Sequence, residues 1–128
     1  MIAVDTSVWV AALRSAESVE GRALARLLDD DEVLLPIPVR IELLAGASNR
    51  DRPALRRVLS ALPVMAPSET TWGLVEGWIE RAGRAGERFG FADLLIAALA
   101  AGEGADIWSR DADFRRMARL GFVTLFVP

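Results

Sequence analysis

The sequence predicts an α/β domain built on a mainly parallel sheet, and three observations lead there. Short apolar runs alternate with longer segments of helical periodicity, the pattern of strands joined by helical crossovers. The runs are apolar throughout, as expected of strands covered on both faces. The chain has 128 residues, 52% of them hydrophobic, with no linker-like stretch, so residues 1–128 are expected to form one domain with one core.

The elements follow in order. Residues 1–5 read as a short buried strand ending at Asp5, and Asp5-Thr6-Ser7 supplies capping residues for a helix through Val8, Trp9 and Ala12. Residues 18–29 form a second helix, with Ala23, Leu24, Leu27 and Leu28 at helical spacing. Val33-Leu34-Leu35, between the acidic turn 29–32 and Pro36, is the second strand. Helices are predicted from about Pro38 to Ala47 and over 53–61, with Pro63-Val64-Met65 as a further strand candidate. Ser68-Glu69-Thr70-Thr71 opens the longest helix, which runs to about Gly83. After a loop to Gly90 come an apolar helix over 91–101, a strand over 106–109, a short helix from Asp111 to Leu120 closed by Gly121, and a last strand over 123–127.

Composition narrows the chemistry. The chain has no histidine, no cysteine and no lysine, so all fifteen cationic side chains are arginine. That removes the commonest general base near neutral pH, a zinc site built from the usual ligands, and both a lysine phosphate loop and a lysine Schiff base. Carboxylates, hydroxyls, arginines and a metal they could hold remain. The net charge of −3 argues against binding nucleic acid through the overall field, but leaves room for local arginine tracks. No stretch has the length of a membrane span, and the N-terminus lacks the basic region of a secretory signal. A cytoplasmic protein is the expected setting.

Four acids stand where chemistry is expected. In parallel sheets ligands bind beyond the carboxyl ends of the strands, where strand order reverses, and Asp5 and Asp111 follow strands. Asp93 stands at the mouth of an apolar helix, and Glu42 shares a helix face with Pro38, Val39, Ala45 and Gly46. Each also admits a structural role. Asp5, Asp93 and Asp111 are each placed to serve a helix N-terminus, and Glu42 could be a rim residue paired with Arg40 or Arg50. Asp113 competes with Asp111.

The segments Val4-Asp5-Thr6-Ser7, Arg40-Ile41-Glu42-Leu43-Leu44-Ala45-Gly46, Asp93-Leu94-Leu95-Ile96-Ala97-Ala98 and Ser109-Arg110-Asp111-Ala112-Asp113-Phe114 together resemble a PIN domain. More narrowly, they resemble the VapC-type toxins of bacterial toxin–antitoxin pairs. The likeness spans essentially the whole chain, with one mild departure in Phe91-Ala92 ahead of Asp93. It implies a three-layer α/β/α domain with a five-stranded parallel sheet and a metal-dependent endoribonuclease. It also implies catalytic acids at Asp5, Glu42, Asp93 and Asp111, with Thr6, Ser7 and Asp113 assisting. A homodimer is implied, and an antitoxin whose segment occupies the groove beside the acids.

Carboxylate ligands without histidine or thiol favour Mg²⁺, with Mn²⁺ as a substitute, and Asp5, Asp93 and Asp111 are the expected metal ligands. Substrate RNA would be gripped by arginine, first by Arg110, Arg115 and Arg116, with Arg50, Arg52, Arg56 and Arg57 as a second cluster. Trp9, Trp72, Trp78 and Trp108 are candidates for base stacking or for the core. A haloacid dehalogenase-type phosphatase and a receiver domain fit poorly, since both expect a lysine and a second acid near the first strand. A PIN nuclease acting in RNA processing or on DNA, and a silent PIN-fold binding module, are the alternatives.

Overall fold

The structure is a computed structural model describing residues 1–128. Its elements are β1 (Ile2–Val4), α1 (Thr6–Arg14), α2 (Val19–Asp29), β2 (Val33–Pro36), α3 (Ile37–Gly46), α4 (Arg52–Ser60), β3 (Val64–Met65), α5 (Glu69–Arg84), α6 (Phe91–Gly102), β4 (Asp106–Trp108) and α7 (Ala112–Arg119). The strands form a wholly parallel sheet in the order β3-β2-β1-β4, flanked by helices. No helix is long and apolar enough to cross a membrane.

The sheet has four strands, not the expected five. The segment 123–127 lies beside β4 but pairs through one bridge, Ile107 to Leu125. Two main-chain bonds hold it: Ile107 N–H to Thr124 O at 2.9 Å and Phe126 N–H to Ile107 O at 2.8 Å. Beyond them the segment is half-buried at most and Val127 is exposed, so little burial rewards a longer ladder. Phe126 anchors it edge-on against Trp108, with ring centroids 5.5 Å apart.

Strand order sets the place of the site. From β1 the chain crosses to β2 and then β3 on one side, and returns by way of α5 and α6 to β4 on the other. The order therefore reverses between β1 and β4, and the carboxyl ends of those two strands flank a crevice. Their register pairs Val4 with Trp108, which puts Asp5 next to Ser109 one step beyond.

The 30 buried apolar residues form one cluster. All of Leu94 to Ala100 are buried, which is why α6 reads as an unbroken apolar run and holds its first turn rigidly. Trp9, Trp78 and Trp108 lie in this core, and only Trp72 is exposed. Trp78 stacks on Phe122 with ring centroids 4.5 Å apart. Helix ends obey local chemistry. The Ser18 hydroxyl accepts the Gly21 N–H at 3.0 Å, capping α2. At α5 the Thr71 hydroxyl accepts the Ser68 N–H at 3.0 Å. Helix α7 closes on Gly121, at φ 79°, with Phe122 N–H bonded to Met117 O and Gly121 N–H to Ala118 O, both at 3.0 Å, a Schellman closure.

Candidate active site

The loops after β1 and β4, the first turns of α6 and α7, and the middle of α3 bring the acids together. Asp5 is the one buried charged residue, 6% exposed. Its side chain makes no cap bond to α1. Instead its Oδ2 accepts the Ser7 hydroxyl at 2.8 Å and the Ser109 hydroxyl at 2.7 Å. Each hydroxyl in turn accepts a main-chain N–H of the loop after β4: Ser7 Oγ that of Arg110 at 3.0 Å, Ser109 Oγ that of Asp111 at 2.9 Å. A buried carboxylate is costly unless hydrogen-bonded, and these two donors compensate it.

Asp93 lies in the first turn of α6, half-buried, without a cap bond to the helix. Burial raises its pKa from 3.8 to about 6, and the charges of Asp111, Asp5, Asp113 and Glu42 add to the rise. All the acids singled out in the sequence thus act on one carboxyl group. Carboxylate oxygens of Asp93, Asp111 and Asp113 lie within 4.8 Å of one another. Asp113, expected only to assist, is a member of this triplet, and Asp5 stands outside it.

Asp111 does two things at once. Its Oδ1 accepts the Asp113 N–H at 2.9 Å, capping α7, while its carboxylate belongs to the triplet. The alternatives of cap and site acid are therefore compatible at this residue. Glu42 is exposed and pairs with neither Arg40 nor Arg50. Its Oε1 accepts the Thr6 hydroxyl at 3.1 Å, which turns it toward the crevice.

The arginines divide. Arg110 is exposed and faces Glu20 across 3.7 Å. Arg115 is exposed and lines a concavity together with Asp111. Arg116, expected to meet substrate, is engaged within the protein. It donates to Asp113 at 2.6 Å and to Glu87, and lies over the Phe89 ring at 4.7 Å. Both carboxylates raise its pKa. It is placed to orient Asp113 and partly offset its charge.

Sequence reasoning passed over three participants. Ser109 stood inside a quoted motif without a role, although a hydroxyl after β4 and another after β1 become neighbours once those strands pair. Glu87 and Phe89 lie in a loop whose sequence carries no periodic signal, and their partner is known only when α7 folds against them.

The donor set of clustered carboxylates, with one arginine offsetting one of them, suits a hard divalent cation. Such a cation relieves the repulsion that burial and four like charges impose on Asp93. The PIN domain family matches residues 2–120. VapC ribonuclease Mb1587 of Mycobacterium bovis and ribonuclease VapC11 of Mycobacterium tuberculosis are each 35% identical over 125 residues, covering 94% of this chain and 93% of theirs. In shape the chain is similar to a chain in the crystal structure of VapBC2 from Rickettsia felis bound to a DNA fragment from their promoter, with a TM-score of 0.81, 21% identity and 98% of both chains covered. Strand order, the crevice between β1 and β4 and these relatives agree, and the chain belongs to the PIN-domain family, among the VapC ribonucleases.

Proposed function

We propose that the chain is a Mg²⁺-dependent endoribonuclease, the toxin of a bacterial toxin–antitoxin pair, hydrolysing RNA phosphodiesters at the carboxylate crevice. The observation that carries the reading is the raised pKa of Asp93 at the meeting point of Asp5, Glu42, Asp111 and Asp113, in a chain 35% identical to VapC ribonucleases.

The roles follow from the contacts. Asp93, Asp111 and Asp113 would hold the metal, with Asp5 as a further ligand of the metal or of its waters. Bound there, Mg²⁺ or Mn²⁺ supplies a more acidic water and neutralises charge on the phosphate. Glu42, steadied by Thr6, orients water at the open side of the crevice. Ser7 and Ser109 fix Asp5 and suspend the loop that carries Asp111, and Arg116 fixes Asp113. Arg110 and Arg115 are the exposed cations beside the acids, suited to phosphate contacts.

The antitoxin is assigned to a groove of about 590 Å³ between α1, α3 and α4, which Leu13, Leu43, Leu55 and Val58 line, with Glu42 at its acid side. A cationic side chain of the partner would be drawn toward the acids from there. A homodimer is proposed on the face where exposed Trp72 and Phe91 stack 6.0 Å apart, and the protein is proposed to act in the cytoplasm.

The test is cleavage of total RNA with Mg²⁺, Mn²⁺ or a chelator, with the cut ends mapped. Cleavage is expected only with metal. Asp5→Asn and Asp93→Asn are each expected to fall by more than about 100-fold, since even residues that only support metal ligands cost 10- to 100-fold. Full activity in either variant, or cleavage in chelator, overturns the reading. Cleavage of DNA in place of RNA would reassign the substrate.

A further inference from the structure

Helix α4 bears a concavity of about 510 Å³ that no carboxylate lines and where Pro53 is the one apolar side chain. Arg52, Arg56, Arg57, Asn49, Pro53 and Ser60 form it. Arg40 of α3 reaches its far end, with Nη2 3.5 Å from Ser60 Oγ. Three guanidinium groups of α4 therefore line one hollow, and a fourth from α3 reaches its edge.

Only one of these arginines has a clear structural task. Arg52 donates to Leu44 O at 2.9 Å, Ala47 O at 2.7 Å and Asn49 Oδ1 at 2.7 Å, fastening the end of α3 to the start of α4. Arg56 and Arg57 are exposed, and the ion pairs of the protein use Arg110 and Arg116 instead. Like charges at i and i+4 repel along a helix, and α4 has no acid in its first turn to offset them. In a chain with more acids than cations, such a hollow is an anion site in the making.

We propose that this hollow is a second binding site for the RNA, which holds backbone phosphates away from the scissile bond. The inference rests on the ribonuclease reading above. Planar guanidinium forks suit phosphate oxygens, and apart from Pro53 the side chains lining the hollow are polar or cationic, which gives a folded partner no apolar cluster to bury. Helix α3 links the two sites. Glu42 points to Thr6 at the crevice, while Arg40, two residues earlier, points to Ser60 at the hollow. Two residues along a helix are about 200° apart, and a helix is about 10 Å across. A single strand passing over α3 would meet both sites.

The test compares Arg56→Ala/Arg57→Ala with the unaltered protein, on a single-stranded tetranucleotide and on a 20-nucleotide RNA sharing the same cut site. Both substitutions are at exposed positions, and a thermal melt checks that the fold is kept. KM for the long RNA is expected to rise about tenfold, with kcat unchanged and the tetranucleotide unaffected. The slope of log KM against log salt is expected to fall by about 1.4, at ~0.7 for each single-strand phosphate that the variant no longer neutralises. Arg56→Lys/Arg57→Lys, which keeps the charge but not the planar fork, is expected to restore the salt slope and part of the affinity. An unchanged KM for the long RNA, an equal loss on both substrates, or no rescue by lysine overturns the proposal. So does weakened binding of an acidic partner protein with RNA kinetics intact. Failure of the unaltered protein to cut either RNA would instead overturn the ribonuclease reading.

Discussion

Asp93 faces like charges delivered by four other segments of the chain: the end of β1, the middle of α3, the cap of α7 and its first turn. A carboxyl group whose folded pKa is about 6 rather than 3.8 binds its proton more tightly in the folded state than in the unfolded one. Its contribution to stability is therefore greatest below about 4 and is lost as pH rises through about 6. A metal held at the triplet would compete with that proton. Affinity for Mg²⁺ or Mn²⁺ is expected to be weaker at pH 5 than at pH 7, with a proton released on binding at the lower pH. Calorimetric titration in two buffers of different ionisation enthalpy measures both quantities. Equal affinity and no proton release at pH 5 would show that Asp93 is not part of the metal site. The sequence made this residue visible because an acid opens an otherwise apolar helix. It could not show which neighbours Asp93 would meet, because the triplet depends on how the first turn of α7 folds back on itself.

Helices α2, α5, α6 and α7 end alike, with the sixth residue's N–H bonded to the first residue's carbonyl, and three of them place glycine in the left-handed position. At the end of α2 that position belongs to Asp31, at φ 55°, with Asp31 N–H to Leu28 O at 3.2 Å and Glu32 N–H to Leu27 O at 2.9 Å. A left-handed residue other than glycine is strained by roughly 1–2 kcal/mol. Asp31 also sits in a run of four acids. Asp31→Gly is expected to stabilise the fold by about 1 kcal/mol, read as a higher urea midpoint at unchanged slope, and with RNA cleavage unaffected. The helices were legible because each combines an apolar period with a chemical stop. β3 was less so, since two residues carry no period, and 123–127 has the composition of a strand but only one neighbour to pair with.

Across the whole molecule, a crevice of mutually repelling acids makes the metal-free protein less stable than its core would allow. Divalent cation is expected to raise the melting temperature, because a ligand that binds only the folded state adds about 2.7 kcal/mol at a hundred times its Kd. A thermal melt in Mg²⁺, then in chelator, measures this. The same melt with Asp93→Asn should show no cation-dependent rise, and a rise of the same size would place the cation elsewhere. At this scale the sequence was most informative, because the order of strands and acids, and the lack of histidine, cysteine and lysine, leave few other designs. The division of the arginines was hidden. Arg110, Arg115 and Arg116 are close in sequence, but only the folded loop at Glu87 and Phe89 separates the tethered one from the two that stay exposed.

The two serines on Asp5 determine how an asparagine at that position must stand. Both hydroxyl protons are directed at Oδ2, and both hydroxyl oxygens already receive a main-chain N–H. The carbonyl oxygen of the amide has to take the place of Oδ2, and its NH₂ group is then left at the position of Oδ1. Such a variant keeps the loop after β4 suspended as before while presenting a donor where a cation would need an acceptor. Asp5→Asn is thus a form of the protein suited to holding an uncut RNA long enough for the complex to be crystallised.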